Sequence, residues 1–363
     1  MTSSRAPRAA VVELSDAHEV TIPHQVWALH RAGFQVDLLV HDVHRQRLAA
    51  CQRWARIVCL GRRNHAAVLR GFLRVWRLRY DVVVYNTAHG TYVRNFAVLS
   101  RLLVRRQIGF VHIADRLVDG SSTKAIVAMC DGLLVLSERI GSLVALHAQR
   151  PVTAFQTILQ PETAGLRPYP ADGYIDFAVV GAVEPRRRDY DSLIKVLSDP
   201  DLDPRIRVLV LGRCDVRKPE VAAWLAAVDA AGVRHRLVIW EQYVPAEEMH
   251  ARLAGAQALL LLMHPSCDRY ESFCRFQASA GCLTALTHRL PMLVESGMAS
   301  AMAGMGPGVV PYQVAEMTTV FNQLAQGGLG DLRRAIARDP AASVPAQAAR
   351  YLRAVAGLNP RPA

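Results

Sequence analysis

The stretch IDFAVVGAVEPRRRDYDSL, Ile175 to Leu193, sets an apolar run rich in β-branched residues before a glycine, a basic loop and an aspartate suited to capping a helix. It predicts a strand ending at Gly181, a loop holding Arg186, Arg187 and Arg188, and a helix starting near Tyr190 behind Asp189. Strand, short loop, helix is the opening of a parallel βα unit. Downstream the same alternation continues through RIRVLVLG (205–212), RLVIW (236–240), AQALLLLM (256–263), PMLVE (291–295) and GVVPY (308–312).

Upstream lies a second series of similar size: AAVVEL (9–14), QVDLLV (35–40), RIVCL (56–60), DVVVYN (81–86), IGFVHI (108–113), GLLVLS (132–137) and VTAFQ (152–156). Between the series the pattern lapses in LQPETAGLRPYPADGY (159–174), which reads as a linker. The fold expected is therefore α/β, with two Rossmann-like, doubly wound domains facing each other across a cleft, each covered by helices on both faces. Its parts are 1–160, a linker at 161–174, a second domain at 175–335, and C-terminal helices with a tail at 336–363, broken at Pro340 and Pro345.

The chain has 363 residues, 51% hydrophobic and 20% charged, a globular composition. No window holds the roughly 18 uncharged apolar residues of a membrane span, and MTSSRAPRAAVVELSD lacks a secretory apolar region, so a cytoplasmic location is expected. The cysteines (51, 59, 130, 214, 267, 274 and 282) are odd in number and never spaced CxxC, which argues against a disulfide framework or a zinc site. Of the net charge of +12, residues 1–156 hold +11, from 21 basic against 10 acidic side chains. Ten arginines and no acid lie between Asp42 and Asp81. There Arg70, Arg74 and Arg77 are read on one side of a helix, with Leu69, Phe72, Leu73 and Trp76 on the other. This segment, 45–79, reads either as the solvated face of an arginine-rich chain or as suited to an anionic membrane surface, on the inner face of the plasma membrane, or a phosphate-bearing acceptor. Nucleic acid is not expected, because no zinc-finger spacing or RNP-like aromatic run is present.

Chemistry-bearing residues fall just after strands, where such sheets bind ligands. In the first series these are Asp16, His18 and Glu19, then Asn86, Thr87 and His89, then His112 and Asp115. In the second they are the three arginines, then His264 and Ser266 in MHPS, then Glu271 and Ser279, eight apart in RYESFCRFQASA at what reads as a helix entry. Guanidinium forks and free amides at a helix start both suit a diphosphate.

Residues 175–312 resemble the GT-B glycosyltransferases, in particular their retaining, GT4-like group of bacterial polysaccharide and lipopolysaccharide enzymes; the first half is similar in architecture only. In that family a Gly-Arg-x-x-x-x-Lys pattern grips the donor diphosphate. GAVEPRR puts Gly181 and Arg187 in register, with Ala182 where arginine is usual and Arg186 and Arg188 as substitutes. VLGRCD supplies Gly212, and the following loop makes Gln242, Tyr243 and Val244 candidates for the nucleobase. The Glu-x7-Glu element survives as ESFCRFQAS: Glu271 lies where the family's carboxylate meets the donor sugar, Ser279 replaces the ribose-binding glutamate, and Ser272 and Phe273 lie between. His112 matches the histidine that faces the sugar.

The resemblance implies a metal-independent transferase without a cofactor. It would move a sugar from a nucleotide diphosphate to an acceptor hydroxyl of a glycan or lipid-linked glycan. Asp16, His18, Glu19, Asn86 and His89 would meet the acceptor, and Glu271, His112 and Arg187 would act in catalysis. An inverting course would require a base, for which Asp16, His18, Glu19 or His112 could serve. Two other readings share the scaffold: a nucleotide-sugar epimerase, and a non-catalytic nucleotide-sugar-binding partner.

Overall fold

The computed structural model describes residues 5–15, 18–159, 168, 172–302, 304–339 and 342–357. The chain divides into two compact units: Met1–Pro161 with Phe276–Ala278 and Ser343–Ala363, and Glu162–Arg275 with Ser279–Ala342.

In the first unit the strands are β1 (Arg8–Glu13), β2 (Gln35–Val40), β3 (Arg56–Cys59), β4 (Val82–Tyr85), β5 (Arg106–Phe110), β6 (Gly132–Val135) and β7 (Val152–Ala154). Their helices are α1 (Ile22–Arg31), α2 (His65–Leu78), α3 (Thr91–Ser100), α4 (Arg116–Asp119), α5 (Ser121–Met129) and α6 (Glu138–His147). The order across the parallel sheet is β3-β2-β1-β4-β5-β6-β7, so its direction of winding reverses between β1 and β4. β4, VVVY, is buried along its whole length, as expected of a strand covered on both faces. Right-handed crossovers put α2, α3 and α5 in one layer, where α3 packs against both others, and α1 in the opposite layer.

In the second unit β8 (Ile175–Val180), β9 (Ile206–Arg213), β10 (Leu237–Trp240), β11 (Ala258–Leu260), β12 (Met292–Glu295) and β13 (Val309–Tyr312) form a parallel sheet ordered β10-β9-β8-β11-β12-β13. Here the reversal falls between β8 and β11. The helices α7 (Tyr190–Leu197), α8 (Pro219–Ala230), α9 (Ala246–Gly255), α10 (Tyr270–Arg275), α11 (Ala280–His288), α12 (Ser296–Ala299), α13 (Met317–Gln323) and α14 (Leu329–Arg338) complete it. Phe177 meets Phe321 and Tyr190 meets Trp224, each with ring centroids 4.9 Å apart, in a closed apolar core. Each such side chain contributes about 1.5–3 kcal/mol when buried.

The last helix, α15 (Val344–Ala356), belongs to the first unit and packs on α1. Gln347 Oε1 accepts from Gln156 N at 2.8 Å, and Arg106 donates to Ala354 O at 3.0 Å. Pro345 does not break this helix. It occupies the first turn, where a missing N–H costs nothing, and Ser343 provides the cap.

Two further expectations are corrected. AQALLLLM yields only the three-residue strand β11, because Leu262 takes a left-handed backbone, φ 51°, and turns the chain out of the sheet. α2 does not present Arg70, Arg74 and Arg77 as one free basic face: Leu69, Leu73, Trp76 and Arg77 are exposed, while Ala67, Val68, Gly71 and Val75 are buried. Arg70 donates to Leu60 O at 2.8 Å and Arg74 to Asp37 at 2.9 Å, so both arginines fold back onto the sheet edge. Gly71 lies so close to Phe96 that a Cβ there would approach the ring to 2.5 Å.

Candidate functional site

Both reversals of strand order carry polar clusters at the carboxyl ends of the strands. In the first unit Glu13, the last residue of β1, is fully buried. Its oxygens accept from Ser15 N (2.7 Å), Ser15 Oγ (2.6 Å), Asn86 Nδ2 (2.5 Å) and Thr87 Oγ1 (2.6 Å). Burial pushes the carboxyl above the ordinary range, against hydrogen bonds that favour the ionised form. Asn86, just past β4, is wholly occupied: Oδ1 accepts from Thr21 Oγ1 at 2.7 Å and Gln25 Nε2 at 2.5 Å, and Nδ2 also donates to His18 O at 3.1 Å. It braces the crevice and presents no group to an acceptor.

The Asn86 carbonyl has a further partner, His112 Nε2, at 2.6 Å. A carbonyl only accepts, so Nε2 carries the proton and Nδ1 is left as an acceptor. That Nδ1 is buried with no hydrogen-bond partner. The ring is sandwiched between Phe110, at 4.5 Å, and His18, at 4.0 Å and nearly parallel, while His89 meets His18 edge-on at 6.1 Å. His18 itself takes a left-handed backbone, φ 70°. Burial lowers His18 to about 4 and His89 to about 3, with repulsion from Arg116 adding to both, and holds His112 well below its ordinary value. The structure thus brings together three neutral imidazoles from three strand-end loops. Among the described residues, no group of three or more His, Cys, Asp or Glu is placed to hold a metal ion. Glu19 is paired with Arg47 at 2.8 Å, and Asp16 lies outside the described residues. The segment Phe276–Ala278 joins this unit beside the same strand end: Ala114 N donates to Phe276 O at 2.9 Å, and Ile113 bridges Gln277.

In the second unit Gly181 (φ 96°) and Gly212 form a close crossing; a Cβ on Gly212 would lie 1.9 Å from the Gly181 carbonyl oxygen. Arg188 turns back over this crossing and donates to Val180 O at 2.7 Å and Ala182 O at 3.1 Å. As placed, it staples its own loop and offers no fork to a ligand. Arg187 pairs with Glu184 at 2.9 Å. A cavity of about 280 Å³ is lined by Glu184, Arg186, Arg187, Lys218, Asp268 and Arg269, among others. Arg186, Lys218 and Arg269 have no ion-pair partner among the described residues. Arg269 holds a left-handed backbone, φ 66°, uncommon for a residue with a side chain.

A second cavity, about 430 Å³, sits at the ends of β9 and β10 and is lined by Arg213, Asp215, Arg217, Glu241, Gln242 and Tyr243. Tyr243 is exposed, whereas Val244 is buried and can offer a ligand only backbone. Arg213 and Arg217 both pair with Asp215, each at 2.8 Å.

At the β8/β11 reversal Asp189 caps α7, accepting from Ser192 N at 2.9 Å, and binds His264 Nδ1 at 2.7 Å. Burial would raise the Asp189 carboxyl, but the hydrogen bonds from His264 and Ser192 outweigh it and the net shift is downward. His264 Nε2 meets Tyr312 Oη at 2.8 Å, so this buried ring is held at both nitrogens and is a brace.

The stretch around Glu271 spans two helices, contrary to the single helix entry expected. Glu271 is in the first turn of α10, largely exposed, and its carboxylate lies 3.5 Å from Arg275. Ser279 is buried and caps α11 through Gly281 N at 3.2 Å. Ser272 is half-buried and Phe273 buried in the unit's interior. Two carboxylates escaped sequence reading. Glu295, at the end of β12, accepts from Tyr270 Oη at 2.5 Å and from Met298 N at 3.2 Å. Its signal was the strand-end acid in PMLVESG; that of Glu13 was the acid closing AAVVE, hidden by its place inside an apolar run.

No family model matches the chain, and no curated protein does. Solved structures do. The apo lipopolysaccharide outer core galactosyltransferase WaaB has 13% identity and a TM-score of 0.61, covering 96% of this chain and 98% of its own. Anabaena Alr3699/HepE in complex with UDP and glucose has 11% identity and a TM-score of 0.63, covering 96% and 95%. The UDP-GlcNAc 2-epimerase from Methanocaldococcus jannaschii has 9% identity and a TM-score of 0.60, covering 89% and 92%. The likeness establishes the fold: two parallel sheets in Rossmann-like units, the GT-B architecture.

Proposed function

We propose that the protein is a glycosyltransferase that takes a sugar from a nucleotide-diphosphate donor and passes it to an acceptor hydroxyl. The observation that supports this best is the pair of cavities at the strand ends of the second unit. One holds four cations, Arg186, Arg187, Lys218 and Arg269, beside the carboxylates of Glu184, Glu220 and Asp268, and the other has an exposed tyrosine and an amide. A diphosphate suits the first, where Arg186, Lys218 and Arg269 join Arg187, and a nucleobase suits the second, stacked on Tyr243 and hydrogen-bonded by Gln242. The fold shared with a galactosyltransferase and with a protein that holds UDP and glucose agrees with this reading.

As the glycosidic bond breaks, charge grows on the departing diphosphate, and cations already in place stabilise that charge more than they stabilise the bound donor. His112 Nδ1, desolvated and fixed in one tautomer, is a hydrogen-bond acceptor for a sugar or acceptor hydroxyl. The scheme takes no metal and no cofactor. Whether configuration is retained or inverted is a property of the product, and its anomeric signal reads it directly.

A second reading has an observation of its own: epimerases share the fold at nearly the same TM-score as the transferases. Incubating the protein with labelled nucleotide sugars, with and without glycan or lipid-linked acceptors, separates the two. Acceptor-dependent release of the nucleoside diphosphate is expected. Conversion of donor to an isomer without acceptor would assign the epimerase instead, and tight donor binding with neither product would assign a non-catalytic partner.

A further inference from the structure

At the end of the first sheet opposite the imidazoles lies a cavity of about 580 Å³ that the transferase reading does not use. Its volume falls within the roughly 300–1,000 Å³ of small-ligand pockets. It is built at the amino ends of the strands, where Arg8 begins β1, Gln35 begins β2 and Arg56 begins β3. Substrates of doubly wound sheets bind at the carboxyl ends. β1 runs from Arg8 in this cavity to Glu13 beside Asn86, so the two ends lie about 17 Å apart along the strand. The cavity is therefore separate from the crevice that holds His18 and His112. Three rings line it. Phe34 and Tyr80 are buried, and Trp54 is half-buried with the Arg53 guanidinium over its ring at 4.3 Å. Aromatic walls favour a planar ring as the occupant.

The polar groups say what that ring must carry. Among the described residues Asp37 is the only acid that lines the cavity, and it is 7% exposed. Its oxygens accept from Arg56 Nε at 3.0 Å, Arg56 Nη2 at 3.2 Å, Arg74 Nε at 2.9 Å and Tyr80 Oη. A carboxylate has about four lone-pair sites, so these donors occupy it and leave little for a ligand. Two guanidiniums on one carboxylate leave a positive charge over, and Arg8 adds another. Arg8 Nε donates to Gln35 Oε1 and Nη1 to Leu78 O, both at 3.2 Å, and its guanidinium forms no ion pair among the described residues. Arg8 Nη2 and Arg56 Nη1 have no hydrogen-bond partner among those residues. Guanidinium N–H groups in this state suit a carboxylate or a phosphate.

We infer that the cavity at the amino ends of β1, β2 and β3 is a binding site for an aromatic anion, a planar ring bearing a carboxylate or a phosphate. The ring lies against Trp54, Phe34 and Tyr80, and the anionic group meets Arg8 and Arg56. The inference goes beyond the transferase reading and stands without it, since no nucleotide sugar takes part. The test is isothermal titration calorimetry of the full chain with naphthoate and naphthyl phosphate. Naphthol supplies the ring without the charge, and inorganic phosphate the charge without the ring. Wild type is compared with Arg56→Met, Trp54→Leu and Arg186→Ala/Arg269→Ala, the last altering only the second unit. One or both ring-bearing anions should bind the wild type at a single site, and the stronger of the two tells carboxylate from phosphate. Naphthol and inorganic phosphate should bind at least tenfold more weakly, and Arg56→Met and Trp54→Leu should each weaken binding about tenfold or more. The second-unit variant should match the wild type. No binding of either anion up to about 1 mM overturns the inference. So does naphthol or inorganic phosphate binding as well as the anions, or undiminished binding by Arg56→Met or Trp54→Leu. A loss in the second-unit variant overturns it too, by assigning the ligand to the cavity of Arg186 and Arg269. Should Trp54→Leu lose its native circular dichroism, Arg56→Met, which leaves the rings intact, decides the matter alone.

Discussion

His112 shows how much of a residue's role depends on neighbours that sequence cannot place. Its position after a strand was legible, and so was the resemblance that singled it out. The tautomer, the ring sandwich and the unpartnered Nδ1 come from Asn86, Phe110 and His18, which are distant in sequence. His112→Gln should lower transfer by about a hundredfold or more while leaving nucleotide binding to the second unit unchanged, as read by turnover and by thermal shift. The neighbouring rings predict a pH effect. His18 and His89 are held at about 4 and about 3, below the 6.5 expected once unfolded, so above pH 6.5 they are neutral in both states and add no pH dependence. As the pH falls from 6.5 towards 4 the unfolded chain takes up protons that the folded chain refuses, and stability drops. The urea midpoint should therefore be lower at pH 5 than at pH 7, and His18→Gln should shrink the difference; an equal midpoint at both would contradict the assignment. Arg188 teaches the converse. A run of three arginines reads as three candidates, yet one of them is fixed by carbonyls of its own loop.

At the scale of elements, the strands were legible because apolar β-branched runs have few alternatives, and the helices were legible as intervals between them. What periodicity could not supply was the direction a helix faces. α2 has two apolar stripes, and the one that is buried, Ala67, Val68, Gly71 and Val75, is the one that meets Phe96 through Gly71, with Arg74 bound to Asp37 beside it. Likewise ESFCRFQAS reads as one helix entry although Ser279 starts a second helix, because a short polar turn between two short helices has no period to betray it. The Gly181–Gly212 crossing leads to a sharp expectation. Gly212→Ala would place a methyl group on the Gly181 carbonyl, backbone against backbone, and should cost about 1–3 kcal/mol or more in denaturant unfolding. Asp189→Ala removes both a helix cap and the partner of His264, and should cost about 2–4 kcal/mol when the two losses are taken together; Asp189→Asn, which keeps an acceptor for Ser192 N, should cost less.

For the whole molecule, two sheets with the same order of winding each carry a polar cluster at the reversal of that order, with Glu13, Asn86 and His112 in the first unit and Asp189 and His264 in the second. The other second-unit candidates lie at other strand ends, Gln242 and Tyr243 beyond β10 and Glu271 on α10. The duplication was legible from the restart at Ile175. The return of the C-terminal helix to the first unit was not, since nothing in VPAQAARYLRAVA names its partner on α1. The uneven charge was legible as well, although Arg70 and Arg74 are bound to Leu60 O and Asp37. The central claim is that the second unit grips a nucleotide through its diphosphate. It is tested most directly by thermal shift with the uridine, guanosine, thymidine and cytidine diphosphates and their free nucleosides, on wild type and on Arg186→Ala/Arg269→Ala. At least one diphosphate should stabilise the wild type, by about 2.7 kcal/mol at a hundredfold excess over its dissociation constant. Its nucleoside should do far less, and the double variant should lose most of the effect. If no diphosphate shifts the transition, or if the double variant responds as the wild type does, the claim is contradicted.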